Sequence, residues 1–501
     1  MIINPLNCID FYKSGHYKQY PDGTNLVYSN FTPRSDRLAN KGSEYDGKIV
    51  FFGLQYFIKS FLIDTFNANF FGLPKEAVIK SYKRRMDNAL GKDAISTDHV
   101  EALHDLGYLP IEIRALPEGA LVPIKCPVLT IHNTLPEFFW LTNYLESVMS
   151  CMLWQPTTSA TTARQYRLLL DKYAKETGVD KGFVNFQAHD FSFRGMPGIE
   201  AAAISSAAHL IFFNGTDTVP AIDLLEQYYN ADSDKELIGC SVPATEHSVM
   251  SMGSKSNEIE TFRRLITEVY PSGIVSIVSD TWDLWKVLDV YAPALKTEIE
   301  GREGKIVFRP DSGNPADIIC GYGDLSEEGD YSSEYIAENL GCLQLLWKHF
   351  DGTINDKGYK VLNPKVGLIY GDSITLERAE EILRRMEAMG FCSSNIVLGV
   401  GSYTYQHNTR DSYGFAMKAT YGEINGEPQA IFKDPITDSG SKKSLKGIIA
   451  VDKFSDGSYH PLDFMRKLNC ESHLKPVFRN GELLKDWSFA QIICNAVLGD
   501  S

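Results

Sequence analysis

Seven short apolar runs in the middle of the chain each end at a glycine or at a polar residue. Their Val-, Ile- and Phe-rich composition and their length predict strands that are buried on both faces, as in a parallel sheet. The runs are Val184–Asp190, Leu210–Asp217, Leu237–Ser241, Ile274–Asp280, Lys305–Asp311, Val366–Asp372 and Ile396–Gly401.

Helix-length stretches separate most of these runs, namely Ala221–Tyr229, Ser256–Tyr270, Trp282–Tyr291 and Leu376–Met389. This alternation predicts an α/β fold with a TIM-like (β/α) barrel, in which the carboxyl ends of the strands meet on one side. Barrel enzymes carry their active sites on that side. We therefore expect an enzyme whose pocket gathers His189, Asp190, Asp217, Ser241, Asp280, Arg309, Asp311, Gly371 and Asp372.

The length of 501 residues predicts more than one domain, since one hydrophobic core usually supports about 250–300 residues. The barrel is predicted between residues 161 and 403. Residues 1–160 are aromatic-rich and of mixed helical and strand pattern, and residues 404–501 contain a predicted hairpin at Phe415–Glu423 and Pro428–Lys433. We expect these two end regions to form one discontinuous α+β domain.

Charge and cysteine content restrict the class of protein. A net charge of −15 argues against a nucleic-acid-binding or anionic-membrane surface. The nine cysteines are scattered, with no pair at C-x-x-C spacing, so neither a disulfide framework nor a zinc site is indicated. No apolar stretch is long enough to span a bilayer, and the first residues do not follow a signal-peptide pattern. We expect a cytoplasmic protein.

The polar residues at the strand ends indicate a phosphorylated substrate. Arg194 and Arg309 can each bind phosphate oxygens through two N–H groups. Glycine turns at Gly371 and Gly399–Gly401 allow backbone N–H groups to approach a phosphate. Carboxylates such as Asp311 suit Mg²⁺, which binds through a few carboxylates together with substrate phosphates. These residues alone predict a barrel enzyme acting on some sugar phosphate.

Longer motifs carry a family resemblance. The chain contains DFYKSGHYKQYP near its start, followed by segments that include HDFSFRG (189–195), FNGTDTV (213–219), SVPATEHS (241–248), SDTWD (279–283), RPDSGNP (309–315), GDSITL (371–376) and TRD (409–411). On these segments it resembles the nicotinamide phosphoribosyltransferases, a family of type II phosphoribosyltransferases. The resemblance implies synthesis of nicotinamide mononucleotide, with Mg²⁺, in a homodimer whose active sites each draw on both subunits.

The resemblance also implies roles for individual residues. His247 would be phosphorylated by ATP, with Asp283 or Glu246 orienting its ring. Tyr12, from the neighbouring subunit, and Phe191 would stack on the pyridine ring, while Asp217 would accept a hydrogen bond from the substrate amide. Arg194, His247 and Arg309 would face the pyrophosphate, and Asp311 and Asp283 would contact the metal. Ser241 and Ser279 also match positions that contact substrate.

The remaining positions concern the ribose and phosphates. Gly371, Asp372 and Ser402 would hold the ribose 5′-phosphate, although Ser402 stands where the family usually has glycine. The partner subunit would lend Arg410, Lys418, Lys433 and Lys442. Two alternatives stay open: a nicotinate phosphoribosyltransferase, which the acceptor at Asp217 disfavours, and a catalytically silent binding relative, which the presence of His247, Arg309 and Asp311 disfavours.

Overall fold

The computed structural model describes residues 3–322, 333–371, 373–432, 445–465, 467–468 and 470–498. Its strands, in chain order, are β1 Thr24–Thr32, β2 Lys48–Val50, β3 Ile111–Ala115, β4 Leu121–Pro123, β5 Leu129–Asn133, β6 Ala188–Phe191, β7 Gly215–Thr216, β8 Ser272–Val278, β9 Glu303–Arg309, β10 Gly352–Ile354, β11 Lys360–Leu362, β12 Val366–Tyr370, β13 Ile396–Gly401, β14 Ala416–Ile424, β15 Glu427–Ala430, β16 Ile448–Lys453, β17 Tyr459–Met465, β18 Lys475–Arg479 and β19 Glu482–Leu483.

The α-helices are α1 His16–Gln19, α2 Leu54–Tyr56, α3 Lys75–Leu90, α4 Asp98–Leu106, α5 Leu141–Tyr144, α6 Glu146–Thr177, α7 Lys181–Val184, α8 Ile199–His209, α9 Val219–Tyr229, α10 His247–Met252, α11 Glu258–Arg264, α12 Leu284–Lys286, α13 Ala292–Ala294, α14 Lys296–Gly301, α15 Pro315–Cys320, α16 Ser333–Phe350, α17 Leu376–Ala388, α18 Ser402–Gln406 and α19 Phe489–Leu498. Three of them, α2, α11 and α12, continue directly into π-helical turns, and α16 is broken at Gly341.

Among the described residues, six strands form a parallel sheet in the order β7-β6-β13-β12-β9-β8. This sheet confirms the predicted α/β class. The predicted complete barrel is confirmed only in part, because the described strands form an open sheet with β7 and β8 at its two ends. The chain between Cys240 and Ala244 adds single parallel bridges, from Cys240 to Gly215 of β7 and from Ala244 to Ser276 of β8.

Three of the predicted strands were wrong over part of their length. The run Leu237–Ser241 forms no strand beyond the bridge at Cys240, since Leu237 is exposed and the segment runs into Pro243. Residues 210–213 continue α8 as a helical turn, with both Phe212 and Phe213 donating their N–H groups to the carbonyl of His209. Val184 belongs to α7, so that β6 begins only at Ala188.

A second sheet is antiparallel and contains strands from both ends of the chain. Its order is β15-β14-β1-β5-β3-β18-β19. The predicted hairpin corresponds to β14 and β15, although Lys433 lies outside the described residues. The 32-residue helix α6 crosses residue 160 without interruption. It packs on α8 and α17, which flank the parallel sheet, and it also contacts β14 of the antiparallel sheet.

A buried carboxylic acid supports the packing of α2 on α9. Glu118 is fully buried and accepts hydrogen bonds from the backbone N–H of Gly53 at 2.9 Å, from that of Gln55 and from the Tyr229 hydroxyl at 3.1 Å. Burial raises the pKa of Glu118 from 4.5 to about 7, because the donors offset only part of the desolvation.

This acid predicts a pH-dependent stability. A raised native pKa contributes stability that is fully present below pH 4.5 and is lost as the pH rises through 7. The loss amounts to about 3 kcal/mol. The free energy of unfolding in urea, measured at pH 5 and pH 8, should therefore fall less in Glu118→Gln than in the wild type. The variant Glu137→Gln, at an exposed glutamate, is the control, and its free energy of unfolding should fall between pH 5 and pH 8 by as much as that of the wild type. An equal fall in all three proteins would show that Glu118 is not the group responsible.

No helix within the described part of the chain is long and apolar enough to cross a membrane.

Candidate active site

The predicted site residues lie on or just after the carboxyl ends of the parallel strands. Phe191 ends β6, Asp217 follows β7, Arg309 ends β9 and Gly371 follows β12. Period-two alternation along a strand sends neighbouring side chains to opposite faces. His189 and Phe191 therefore share one face of β6, where their rings lie 4.5 Å apart, whereas Asp190 is directed to the other face and is fully buried.

Asp217 is the centre of the first group of site residues. One oxygen, Oδ1, contacts His189 Nε2 at 2.9 Å and accepts a hydrogen bond from Ser241 Oγ at 2.6 Å. The carboxylate is 44% exposed, so it faces the pocket. Because both donors bind Oδ1, the second oxygen, Oδ2, is left to accept a hydrogen bond from a ligand.

Asp217 carries a negative charge at neutral pH. Partial burial raises its pKa. The hydrogen bonds from His189 and Ser241 and the positive charge of Arg309 lower the pKa by more than burial raises it, so that it lies below its ordinary value.

His247 lies in a second group and begins α10. Its Nδ1 is 3.1 Å from Thr281 Oγ1, and its Nε2 is 3.9 Å from Asp280 Oδ1 and 3.8 Å from Asp311 Oδ2. The imidazole is 48% exposed, which leaves room for a ligand beside Nε2. The structure thus places Thr281, Asp280 and Asp311 beside this ring.

Arg309 is held at the carboxyl end of β9. Its Nη2 donates to the carbonyl of Thr245 at 2.6 Å, and its Nε lies 3.7 Å from Asp311 Oδ1. Gly371 leaves space for these side chains, because a Cβ atom at this position would lie 2.0 Å from Asp311 Oδ1 and 3.1 Å from Arg309 Cδ. The glycine turn therefore allows the backbone after β12 to approach both charged groups.

Arg194 and Ser402 are brought together by a second close approach. A Cβ atom at Gly195 would lie 1.9 Å from Ser402 Oγ, so the loop that carries the exposed Arg194 packs on the start of α18. Ser402 is the first residue of that helix, and no positive φ is recorded for it. Serine therefore fits this position without backbone strain.

Asp283 and Ser279 have other contacts. Asp283 Oδ1 caps α12 by accepting from the N–H of Lys286 at 3.0 Å. The pKa of the buried Glu258 is raised to about 7, mainly by burial and secondly by the negative charge of Asp283. Ser279 is fully buried, and its Oγ donates to the carbonyl of Ile277 at 2.8 Å.

A basic cluster lies around β14 of the antiparallel sheet and consists of Lys13, Arg34, Arg410 and Lys418. Partial burial lowers the pKa of Lys418, Glu146 opposes this shift, and the three other cations add to it. Tyr12 is 61% exposed, and Lys13 lies 5.3 Å from the centre of its ring while pairing with Glu146. Three of the predicted partner-donated residues, Tyr12, Arg410 and Lys418, are thus gathered in one place. The other predicted contacts, Asp372, Lys433 and Lys442, lie outside the described residues.

His189 was expected in the pocket but without an individual role, and Thr281 and Thr245 were not expected there. The metal was predicted on Asp311 and Asp283, without Asp280. The period-two alternation in HDF identifies His189 as a partner of Phe191 on the pocket face. Thr245 acts through its backbone carbonyl, which leaves no signal in the side chain.

Two carboxylates beside His247, those of Asp280 and Asp311, could hold a cation. Asp280 Oδ2 accepts from the backbone N–H groups of Asp311 at 2.9 Å and Ser312 at 2.8 Å, while its buried Oδ1 has no hydrogen-bond partner among the described residues. Among all residues that the structure describes, no group of three or more His, Cys, Asp or Glu side chains is arranged to hold a metal ion. The donors fit Mg²⁺ held jointly by two carboxylates and substrate phosphates.

Two family models match this sequence. The model of the nicotinate phosphoribosyltransferase family matches residues 186–482, and that of the nicotinamide phosphoribosyltransferase N-terminal domain matches residues 4–113. Together they cover both the parallel sheet and the first part of the chain, and they confirm the resemblance carried by the motifs.

Individual relatives agree. The chain is 56% identical to a nicotinamide phosphoribosyltransferase of Acinetobacter baylyi, over 96% of this chain and 94% of the relative. It is 35% identical to one of Mycoplasma pneumoniae, over 87% and 93% of the two chains. The fold is similar to that of a nicotinate-nucleotide pyrophosphorylase from Pyrococcus furiosus, with a TM-score of 0.56 at 16% identity over 99% and 95% of the chains.

Proposed function

Because the chain belongs to the nicotinate phosphoribosyltransferase family, we propose that it transfers the 5-phosphoribosyl group of phosphoribosyl pyrophosphate to nicotinamide, releasing pyrophosphate. The observation that carries the choice of nicotinamide is the pair of donors on Asp217 Oδ1, which leaves an acceptor at Oδ2. A primary amide supplies the matching N–H donor. The carboxylate of nicotinate offers acceptors only and would be repelled.

The base is bound between the groups at the ends of β6 and β7. Phe191 provides an aromatic face for the pyridine ring, worth about 1 kcal/mol beyond burial. Asp217 binds the amide, which orients the ring nitrogen towards the ribose. This nitrogen carries no proton, so its attack on C1′ needs no general base. The bond from C1′ to pyrophosphate breaks as the new C–N bond forms, and the electron pair leaves with pyrophosphate.

Electrostatic stabilisation of the leaving group supplies most of the catalysis. Arg309, held by Thr245 and Asp311, would bind the pyrophosphate through its remaining N–H groups, and Arg194 would approach from the loop after β6. Backbone groups at Gly371 and Ser402 bind the ribose 5′-phosphate. Asp280 and Asp311 would hold Mg²⁺, which when bound neutralises negative charge on the pyrophosphate. The capping role of Asp283 makes it the weaker metal candidate.

We propose further that ATP phosphorylates His247. In the tautomer whose Nδ1–H donates to Thr281 Oγ1, the lone pair of Nε2 faces the pocket. Nε2 would attack the γ-phosphorus, the bond to the bridging oxygen would break, and ADP would leave with that electron pair. Asp280 and Asp311 favour the positive charge that the imidazole then carries.

The proposal includes a homodimer with composite active sites. The basic cluster and the exposed Tyr12 lie on the antiparallel sheet and its flanking segment, and they would complete the partner's pocket. The proposed domains are residues 161–403, with the single bridges at Cys240 and Ala244 closing the sheet into a barrel, and residues 1–160 with 404–501. The nine free cysteines support a cytoplasmic location.

Product identification tests the proposed function. The purified protein is incubated with phosphoribosyl pyrophosphate, Mg²⁺ and nicotinamide, and the products are analysed by mass spectrometry. We expect nicotinamide mononucleotide and pyrophosphate in equal amounts, with little product when Mg²⁺ is chelated. Formation of nicotinate mononucleotide alone, when nicotinate is supplied in parallel, would support the nicotinate-specific alternative. A protein that uses neither base would be the silent relative.

The phosphohistidine gives a separate prediction. Incubation with γ-labelled ATP should leave a label that is lost in acid and stable in base, and His247→Ala should abolish it. Because the ribosyl transfer depends on Arg309 and Arg194, the variant should keep some synthesis without ATP. His189→Ala is the control, since its histidine contacts Asp217 and should leave the label intact. A label that persists in His247→Ala would place the phosphoryl group elsewhere.

A further inference from the structure

A buried carboxylate lies directly beneath the base-binding residues and takes no part in the chemistry proposed above. Asp190 is fully buried on the face of β6 opposite to His189 and Phe191. Burial raises its pKa, but the neighbouring His209 and hydrogen bonds from Ser192, Ser206 and Thr218 lower it overall. An ionised group in this position is stable only while its donors stay in place.

These donors come from both loops that carry the base contacts. Oδ1 accepts from the backbone N–H of Ser192 at 3.0 Å, immediately after Phe191. Oδ2 accepts from Thr216 Oγ1 at 3.0 Å and from Thr218 Oγ1 at 2.8 Å, the residues on either side of Asp217. The main-chain carbonyl of Asp190 also accepts from the N–H of Asp217 at 3.0 Å.

The threonines are further constrained. Thr216 Oγ1 accepts from the N–H of Thr218 at 2.9 Å and lies 2.9 Å from Ser206 Oγ on α8. Both threonines are almost fully buried, so water does not compete for these hydrogen bonds. The backbone of Asp217 is thus fixed from the residue before it, from the residue after it and through its own N–H.

We infer that Asp190, Thr216 and Thr218 form a bracket that positions Asp217 and Phe191, and that this bracket sets the preference for an amide over a carboxylate in the base. The inference rests on the proposed function. The three are positioning residues, because none faces the pocket. Their effect is on the place and direction of Asp217 Oδ2, and a small displacement of such an acceptor weakens a hydrogen bond steeply.

A matched pair of variants at Thr218 tests the bracket. Thr218→Val keeps the shape of the side chain and removes the donor to Asp190, whereas Thr218→Ser keeps the hydroxyl. We expect Thr218→Val to raise the KM for nicotinamide about tenfold and to reduce the nicotinamide-over-nicotinate ratio of kcat/KM by a similar factor. The KM for phosphoribosyl pyrophosphate should stay within about twofold, and Thr218→Ser should stay near the wild type on every measure.

Thr267→Val is the matched control, because it makes the same exchange at an exposed threonine whose hydroxyl donates to the carbonyl of Arg263, so it should behave as wild type. Should Thr218→Val fail to fold, Asp190→Asn carries the same expectation for KM and for the ratio. An unchanged ratio in the folded Thr218→Val, or an equal loss in Thr218→Ser, would overturn the bracket. A wild-type protein that makes no nicotinamide mononucleotide would overturn the proposed function itself.

Discussion

Mixing two inactive variants, Arg309→Ala and Arg410→Ala, should restore up to about half of the wild-type activity per mixed dimer. Arg309 lies at the end of the parallel sheet, whereas Arg410 belongs to the basic cluster beside β14. If each active site combines the first from one subunit with the second from its partner, a mixed dimer carries both lesions in one site and leaves the other intact. Each variant alone should lose at least about 100-fold, because each removes a cation from a phosphate site.

The control for this experiment is a second pair with both lesions on the parallel-sheet side. Arg309→Ala mixed with Asp311→Ala puts one lesion in each site of the mixed dimer, so activity should not return. Subunit exchange is verified by two different affinity tags. Failure of the first pair to recover despite exchange would show that Arg410 acts within its own chain.

Asp217→Asn should lower kcat/KM for nicotinamide roughly 30- to 900-fold, which corresponds to about 2–4 kcal/mol of lost transition-state stabilisation. The asparagine carbonyl can take the place of Oδ1 and accept from His189 and Ser241. Its NH₂ group then replaces Oδ2, where it meets the NH₂ of the substrate amide as donor against donor. The same NH₂ group suits the carboxylate of nicotinate, so activity with nicotinate should rise or stay the same.

The exposed Asp223→Asn, on α9, removes the same charge nearby and should leave both bases unaffected. Steady-state kinetics with each base, at saturating phosphoribosyl pyrophosphate, provide the comparison. If Asp217→Asn uses nicotinamide as well as the wild type does, the amide is bound elsewhere.

Much of the fold could be predicted because buried parallel strands have a strong apolar signature. The bounds of β13 match the predicted Ile396–Gly401, and α17 begins at the predicted Leu376. The errors at 210–213 and 237–241 have a common cause. A short apolar run is equally compatible with a buried helical turn or an irregular segment, and only tertiary contacts decide between them.

For the candidate site, the motifs predicted individual residues better than the contacts between them. Motifs identified Asp217, His247 and Arg309, since these side chains carry chemistry that few other residue types supply. The contacts around them were harder to predict, because they depend on distance. Asp280, rather than Asp283, lies beside His247, although both follow β8 within five residues. Asp190 was expected in the pocket, yet the alternation of β6 places it beneath the pocket as part of the bracket.

A competition assay tests the amide-selective pocket most directly. Equal concentrations of nicotinamide and nicotinate are offered in one tube with limiting phosphoribosyl pyrophosphate and Mg²⁺, and the two mononucleotides are quantified by mass spectrometry at low conversion. Because the product ratio equals the ratio of the two kcat/KM values, it is independent of enzyme concentration. The acceptor at Asp217 Oδ2 predicts nicotinamide mononucleotide in excess by at least about tenfold. Equal amounts, or an excess of nicotinate mononucleotide, would contradict it.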